Sequence, residues 1–217
     1  MNSLGEAPTD WRGCFADAAA WFVELTSAAR PHLAQPALGE WTVRDLIGHA
    51  SRSWTTVVDY LAAAGPIDLD AAADYFRAAA DVDPANVAER GRSAGASLGS
   101  APAEVVANLA ERAAHALAEA PDDSLVATPL GVMALAEYLP TRTFELAVHG
   151  CDLAAAVGLP LSVPASAGES AARLAAALLG DWTGEVLLAL TGRRPLPPGF
   201  SVLAPPRAGP SRAGHFS

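Results

Sequence analysis

Glu145 and His149 are the two residues whose types and spacing first suggest chemistry in this sequence. They stand four residues apart in the segment Leu139–Asp152, whose apolar residues recur with helical spacing. Residues four apart on a helix lie on one face, one turn from each other. Burying a carboxylate and an imidazole without partners costs several kcal/mol each, so a divalent metal ion is a suitable common partner.

Further ionisable residues share this face of the predicted helix. At about 100° of rotation per residue, Tyr138, Arg142 and Asp152 lie within about 60° of His149. Leucines adjoin or interleave with these residues, namely Leu135, Leu139, Leu146 and Leu153. The segment therefore predicts a row of ionisable groups on the side of a helix that faces the protein core.

A third metal ligand is expected from a facing helix. His49 lies on the flank of the apolar stripe of a helix that is predicted to begin at Thr42. Two histidines and one glutamate form a ligand set of catalytic zinc sites, which keep one coordination position open. The same ligand types also accept nickel, iron or manganese, so the sequence favours zinc without fixing the metal.

Each of these residues also has a plainer interpretation. His49 could be a histidine at the edge of the core that bonds to a backbone carbonyl, and His149 could cap a helix end before Gly150. Glu145 could pair with Arg142 one turn earlier. The pattern Glu-x-x-x-His is weak by itself, and only its combination with His49 on a second apolar helix favours a metal site.

The other histidines and the cysteines are weaker candidates. The remaining histidines fall on a solvated helix face, in a loop and in the tail, and they are His115, His32 and His215. Cys151 points about 200° away from His149 around the helix, which makes it a poor ligand or nucleophile. Cys14 is expected in the core.

Helical periodicity dominates the whole chain, and no strand pattern competes with it. Helices are predicted over residues 10–29, 42–64, 100–120, 132–157 and 166–190, with shorter ones at 71–80 and 83–91. Pro140 is expected to kink the fourth long helix or to mark its true start, and the fifth is expected to break near Gly180. The pattern predicts an all-α fold, a four-helix bundle with a crossover connection, followed by a C-terminal helix and an irregular tail from Thr191.

Capping residues support three of these helix starts. Asp10 is a candidate N-cap for the first helix. Thr42 with Asp45, and Ser166 with Glu169, have the spacing of capping boxes.

Composition excludes several classes of partner. The chain has 217 residues, 51% of them hydrophobic, which rules out general disorder. Its net charge of −10 argues against a nucleic acid or an anionic membrane as partner.

Two cysteines do not make a secreted disulfide framework, and the N-terminal residues lack the basic and apolar regions of a signal peptide. We expect a cytoplasmic protein.

Two stretches carry a resemblance to a known family. Residues Leu38–His49, which read LGEWTVRDLIGH, and residues Arg142–Asp152, which read RTFELAVHGCD, are similar to the mycothiol-dependent maleylpyruvate isomerase family of the DinB-like superfamily. The similarity extends over roughly Asp10–Gly158. It implies a DinB-like bundle in which His49, Glu145 and His149 bind a divalent metal, usually zinc.

The chain departs from that family after the bundle. The isomerases carry a further C-terminal α/β domain, and the residues after Pro164 are too few and too helical to form it. We therefore expect a metal-binding bundle over residues 1–160 and a helical extension with a Pro-rich tail over 161–217. The resemblance also implies an active-site arginine in the crossover region, for which Arg90 is a better candidate than Arg77 or Arg92.

The resemblance implies a mechanism that uses mycothiol as a thiol cosubstrate. A metal-held thiolate would add to the double bond of a small electrophile and then leave, as in an isomerase, or stay attached, as in an S-transferase. Asp152 is a candidate acceptor that orients a ligand imidazole, or else a solvated carboxylate. Arg142 is a candidate for binding a substrate carboxylate, with pairing to Glu145 or Asp152 as the alternative.

Two other functions compete with this one. The first is a non-catalytic metal-binding bundle with a stress or ligand-binding role, and the second is a structural bundle with an Arg–Glu–Asp network and no metal. Metal analysis separates the structural bundle from the two metal-binding alternatives. Thiol consumption then separates the enzyme from the non-catalytic metal-binding bundle. The apolar fifth helix could supply a homodimer interface.

Overall fold

Eight α-helices and two short β-hairpins make up the part of the chain that the computed structural model describes, residues 10–61, 65–80 and 82–203. The helices are α1 Trp11–Ala28, α2 Val43–Tyr60, α3 Ala72–Ala79, α4 Pro84–Ser97, α5 Pro102–Glu119, α6 Leu135–Val157, α7 Ala165–Ala177 and α8 Thr183–Leu190. The strands are β1 Pro36–Leu38, β2 Trp41–Thr42, β3 Leu125–Thr128 and β4 Gly131–Ala134. The predicted all-α class is confirmed.

Helices α1, α2, α5 and α6 form the bundle, because each packs against two of the others around a common core. Phe22 of α1, Trp54 of α2 and Leu146 of α6 are fully buried there. The rings of Phe22 and Trp54 meet edge to face with their centroids 5.9 Å apart. The long connection between α2 and α5 contains α3 and α4, as the predicted crossover requires.

Helix α4 lies directly on α2 because glycines meet at the crossing. A Cβ atom added to Gly48 would fall 2.1 Å from the backbone nitrogen of Gly95. Gly91, one turn before Gly95, leaves room for the indole of Trp41 in the same way. Small residues at a helix crossing allow the backbones to approach closely, so these glycines fix where α4 sits.

Two of the three predicted caps are confirmed and one is wrong. The side chain of Asp10 accepts a hydrogen bond from the Gly13 nitrogen at the start of α1. Thr42 and Asp45 form the expected reciprocal capping box at α2. At α7 no side chain caps the helix, and Ser166 instead donates a hydrogen bond to Asp17.

The sequence showed no strand pattern, and this expectation was wrong, because a β-hairpin leads into α6. Leu125 pairs with Ala134 and Thr128 pairs with Gly131 across β3 and β4. The Thr128 hydroxyl closes the turn by donating to the Gly131 carbonyl, and Gly131 has a φ of 140°. The hairpin occupies the first residues of the predicted fourth helix, so α6 begins at Leu135, with Pro140 inside it.

Other boundaries differ in smaller ways. Helix α4 continues to Ser97, beyond the predicted end at residue 91. The fifth helix is broken at Gly180, as predicted, where φ is 52°. The predicted end of α2 at residue 64, His215 and the end of the tail lie outside the described residues.

Candidate metal centre

His49 of α2 and Glu145 and His149 of α6 come together between the two helices. Their candidate ligand atoms all lie within 4.8 Å of one another. Oε2 of Glu145 lies 3.2 Å from Nε2 of His149 and 3.7 Å from Nε2 of His49. All three residues are partly buried, as the sequence pattern on the two helices predicted.

The donor atoms suit a common divalent ion. Zinc binds imidazole nitrogen and carboxylate oxygen at about 2.0–2.2 Å. Two such donors in a tetrahedral arrangement are therefore about 3.4 Å apart, which matches the 3.2 Å and 3.7 Å separations at Glu145. Three protein donors also leave a coordination position for another molecule, as in catalytic rather than structural zinc sites.

Asp152 orients His149 from the next turn of α6. Its Oδ2 atom lies 3.0 Å from Nδ1 of His149. Because an ionised carboxylate only accepts hydrogen bonds, Nδ1 carries the proton and donates it to Asp152. With the proton on Nδ1 held by Asp152, Nε2 is the ring atom that can give up its proton and bind a metal, which is the arrangement that a metal-binding histidine requires.

Without a metal, the surroundings raise the pKa of His149 and lower the pKa values of His49 and Glu145. Burial disfavours the charged form of His149, but its bonds to Asp152 and Glu145 outweigh this and raise its pKa to about 9. Burial lowers the pKa of His49. Burial also opposes ionisation of Glu145, but the two imidazoles and the charge of Arg142 hold its pKa well below the usual range.

His49 is held by packing more than by hydrogen bonds. Its ring lies against the indole of Trp41, with the ring centroids 4.6 Å apart, and meets the ring of His149 edge to face at 4.9 Å. Its Nδ1 atom is buried and has no hydrogen-bond partner among the described residues. Trp41 is fixed in turn by donating from Nε1 to the Ala88 carbonyl of α4 at 3.0 Å.

A cavity of about 450 Å³ opens beside the three ligands. That volume lies in the range of small-molecule sites. Most of the lining side chains are aromatic or aliphatic, including Tyr60, Tyr75, Phe76, Phe144 and Val148. The three candidate ligands line its wall, so a molecule in the cavity would lie next to a bound ion.

Arg142 lines the same cavity from within α6 and does not make either predicted ion pair. Its side chain is buried, and its Nε atom donates to the Thr141 hydroxyl at 2.9 Å. The guanidinium lies 4.9 Å from the ring centroid of Tyr75 and 5.0 Å from that of Tyr138. Among the described residues no carboxylate lies within ion-pair distance of it, although Glu145 is near enough to influence its pKa.

Of the three crossover arginines, Arg90 is the one that borders the cavity. It is exposed and donates from Nε to the Asn86 carbonyl at 3.2 Å. Arg77 instead pairs with Asp74 and caps the end of α7, and Arg92 pairs with Glu89. Of these three arginines, the one favoured by the resemblance therefore lies on the wall of the cavity that holds the candidate ligands, and its role stays a prediction.

Sequence reasoning missed Arg52 and the aromatic residues of α3. Arg52 lies one turn after His49, half-buried, and lines the cavity. The spacing His-x-x-Arg places both on one helix face, and that signal was available. Tyr75 and Phe76 reach the cavity because the crossover folds α3 against α6, and local spacing does not reveal such a placement.

Of the residues set aside in the sequence, His115, Cys14 and Cys151 do not line the cavity. His115 is exposed and bonds to Glu119 on its own helix. Cys14 and Cys151 are free thiols, and burial raises the pKa of each. No helix in the described part of the chain is long and apolar enough to cross a bilayer.

Comparison with known proteins agrees with this architecture. The family described as the mycothiol maleylpyruvate isomerase N-terminal domain matches residues 11–154. The matched region runs from the start of α1 to near the end of α6 and contains all three candidate ligands. Neither the curated proteins nor the solved structures gave a match. Since the match covers well over half of the chain, this protein belongs to the mycothiol maleylpyruvate isomerase N-terminal domain family.

Proposed function

We propose that this protein is an enzyme that depends on a divalent metal, preferably zinc, and uses mycothiol to isomerise or conjugate a small electrophile. The observation that carries the proposal is the meeting of His49, Glu145 and His149 on the wall of a cavity. The description of its family names mycothiol and maleylpyruvate isomerase. Maleylpyruvate is therefore the first electrophile to test.

The proposed roles of the metal-site residues follow from their geometry. His49, Glu145 and His149 would hold the ion through Nε2, a carboxylate oxygen and Nε2. A divalent ion supplies positive charge that keeps a coordinated thiol deprotonated at neutral pH. Asp152 keeps the proton of His149 on Nδ1, so that Nε2 stays available as a ligand.

The rest of the cavity would bind and position the electrophile. Arg142 and Arg90 line it and are the proposed partners for an anionic group on the substrate. The aromatic wall excludes water around the reacting carbon, which strengthens the electrostatic interactions at the site. Both arginines present guanidinium groups, whose planar donors match a carboxylate.

Metal content tests the first part of the proposal. Protein purified without a metal-affinity tag should contain about one zinc ion per chain by elemental analysis. His49→Ala should lose most of it, whereas His115→Ala, which removes an exposed imidazole outside the site, should retain it. A wild-type protein without metal after dialysis against zinc would favour the structural bundle instead.

Thiol consumption tests the second part. Zinc-loaded wild-type protein should accelerate loss of mycothiol in the presence of an electrophile panel, or the isomerisation of maleylpyruvate, and His49→Ala should not. A protein that retains zinc yet shows no thiol-dependent turnover with any member of the panel would support the non-catalytic metal-binding alternative.

The organisation of the chain outside the site stays a prediction. We propose the division into a bundle over residues 1–160 and an extension over 161–217, a cytoplasmic location and a homodimer. Leu187 and Leu190 of α8 are 57% and 78% exposed, which supports an interface there. Light scattering of the purified protein, compared with Leu187→Glu, tests the dimer.

A further inference from the structure

The mouth of the cavity carries three large apolar side chains that remain exposed. Leu38, Val148 and Leu203 are 38%, 36% and 46% exposed, and all three line the cavity. They come from β1, from α6 and from the C-terminal extension, which lie far apart in the sequence. Exposed apolar side chains around a concave site are typical of a surface that contacts a ligand. Of the three, Leu203 lies beyond the region of the family match, which ends at residue 154.

A ring contact outside the cavity restrains the position of Leu203. Phe200, three residues earlier, meets the ring of Trp182 edge to face, with the centroids 5.3 Å apart. Three residues span at most about 11 Å, so this contact limits how far Leu203 can move from the mouth. The Leu203 nitrogen also donates to the Ser201 hydroxyl at 3.1 Å.

Helix α7 supports the cavity wall from behind. Leu174 of α7 is buried in a second apolar cluster with Phe144 of α6, and Phe76 of α3 packs against this cluster. Phe76 and Phe144 line the cavity, with their ring centroids 5.1 Å apart. Arg77 of α3 donates from Nη2 to the last carbonyl of α7 at 3.0 Å. The extension therefore contributes to the cavity on two sides, at its mouth and behind its aromatic wall.

We propose that the C-terminal extension completes the ligand cavity, and that Leu203 is the residue at the mouth that limits the size of the ligand. The bundle supplies the candidate metal ligands and the arginines, and Leu203 determines how much room is left on the side open to solvent. The inference rests on the proposed function only in taking this cavity as the ligand site. It concerns binding, which is measurable without mycothiol or turnover.

The probes are phthalate and tetrabromophthalate, titrated calorimetrically into the zinc-loaded protein without thiol. Both carry the same two neighbouring carboxylates, and they differ in the bulk of the ring. We expect both to bind the wild type, because Arg52, Arg90 and Arg142 line the cavity. Since the charged groups are the same, a change in the ratio of the two dissociation constants reports on the room around the ring.

Two substitutions of Leu203 should move this ratio in opposite directions. Leu203→Ala should favour tetrabromophthalate over phthalate by about threefold or more relative to the wild type, because it removes bulk at the mouth. Leu203→Trp should disfavour tetrabromophthalate by a similar factor. The side chain is 46% exposed and lies outside the core, so both variants should fold and retain zinc.

The matched controls are Leu161→Ala and Leu161→Trp. They make the same changes at a leucine that is 63% exposed and is not among the described lining residues, and the ratio should stay at the wild-type value. Phe200→Ala should shift the ratio in the same direction as Leu203→Ala, because it removes the contact with Trp182 that restrains Leu203. An unchanged ratio in Phe200→Ala would contradict this positioning role.

The outcomes separate this inference from the proposed function. A ratio that stays constant in both Leu203 variants, or that moves equally in the Leu161 variants, overturns the inference and leaves the metal site untouched. If the wild type bound neither dicarboxylate, the inference would fail together with the choice of this cavity as the ligand site. If the ratio moved as expected but the protein never consumed thiol, the inference would stand and the proposed enzyme would not.

Discussion

His149 bridges two carboxylates on α6: its Nδ1 atom lies 3.0 Å from Oδ2 of Asp152, and its Nε2 atom lies 3.2 Å from Oε2 of Glu145. The three residues occupy successive turns of one helix, so the helix geometry alone aligns them. Asp152 fixes the proton on the far side of the ring from Glu145. Nε2 is therefore the ring atom left to bind a candidate metal once it loses its proton.

Removal of Asp152 should therefore weaken metal binding without removing a ligand. We expect Asp152→Ala to lower zinc affinity about 10–100-fold, the usual effect of losing the acceptor behind a ligand histidine. Asp152→Asn should have a smaller effect because its amide oxygen still accepts from Nδ1. Competition with a chromophoric chelator measures both.

The control for Asp152 is Asp122→Ala. It removes a carboxylate whose side chain is 87% exposed and which pairs with Arg12. Its zinc affinity should equal that of the wild type. Unchanged affinity in Asp152→Ala, alongside loss of zinc in His49→Ala, would contradict the assigned role of Asp152.

The metal-free protein should lose stability between neutral and mildly alkaline pH. His149 has a folded pKa of about 9, above its ordinary value of 6.5, so its contribution is complete below about 6.5 and is lost as pH rises toward 9. The loss is of the order of 2 kcal/mol. Urea unfolding at pH 6.5 and 8.5, with chelator present, measures it.

The metal-free protein should also lose stability as the pH falls into the acid range. That loss comes from His49 and Glu145 rather than from His149, so the two pH ranges report on different groups. The lowered pKa of His49 makes its neutral form the stable one, so stability falls as pH drops through the unfolded value. The lowered pKa of Glu145 likewise gives stability that is lost in acid. His149→Gln should abolish the alkaline loss, whereas the acid loss should become smaller but persist, because burial still lowers the pKa of His49. An unchanged alkaline loss in this variant would assign it to another group.

The parts of the fold and site that the sequence predicted depend on local spacing. Glu145, His149 and Asp152 share a face because of the helical repeat, and the Thr42–Asp45 box marks the start of the helix that carries His49. Those features need only residues within a turn or two of each other. That is why the three candidate ligands could be chosen before any tertiary contact was known.

Features that depend on distant contacts were missed. The β3–β4 hairpin replaced the first predicted turn of the fourth helix because Val126 and Met133 are buried against the bundle, which outweighs the helical pattern nearby. Ser166 bonds to Asp17 of α1 rather than to its own helix. Tyr75 and Phe76 joined the site only because α3 folds back onto α6, and no short-range pattern encodes that.

The crossing of α2 and α4 should be intolerant of a single methyl group. Gly48→Ala would place Cβ 2.1 Å from the Gly95 nitrogen, a backbone atom that cannot rotate away. We expect a loss of about 3 kcal/mol in unfolding free energy, since overpacking outweighs the gain in helix propensity. Denaturant unfolding of the variant measures this.

Gly184→Ala is the matched control, since it makes the same change in α8, where nothing lies within 4 Å of the added Cβ. It should be neutral or stabilise by about 0.5–1 kcal/mol. If both variants were equally stable, the close contact between α2 and α4 would not exist in solution.

Trp41 should matter to metal binding although it offers no ligand. The His49 ring has a buried Nδ1 atom without a partner and lies 4.6 Å from the indole, so packing rather than hydrogen bonding keeps its Nε2 atom toward Glu145. We expect Trp41→Ala to lower zinc affinity about tenfold, by analogy with other residues that orient a ligand. Competition with a chelator measures the affinity, and urea unfolding measures the stability.

Trp41→Phe separates orientation from stability. Phenylalanine keeps a ring against His49 but loses the Nε1 bond to the Ala88 carbonyl, so stability should fall by about 1 kcal/mol while zinc affinity stays near that of the wild type. Trp182→Ala, which removes a tryptophan that packs on Phe200 outside the bundle, should leave zinc affinity unchanged. If Trp41→Ala lost stability but kept full zinc affinity, the indole would be only a core residue, and the ligand atom of His49 would have to be held by the ion itself.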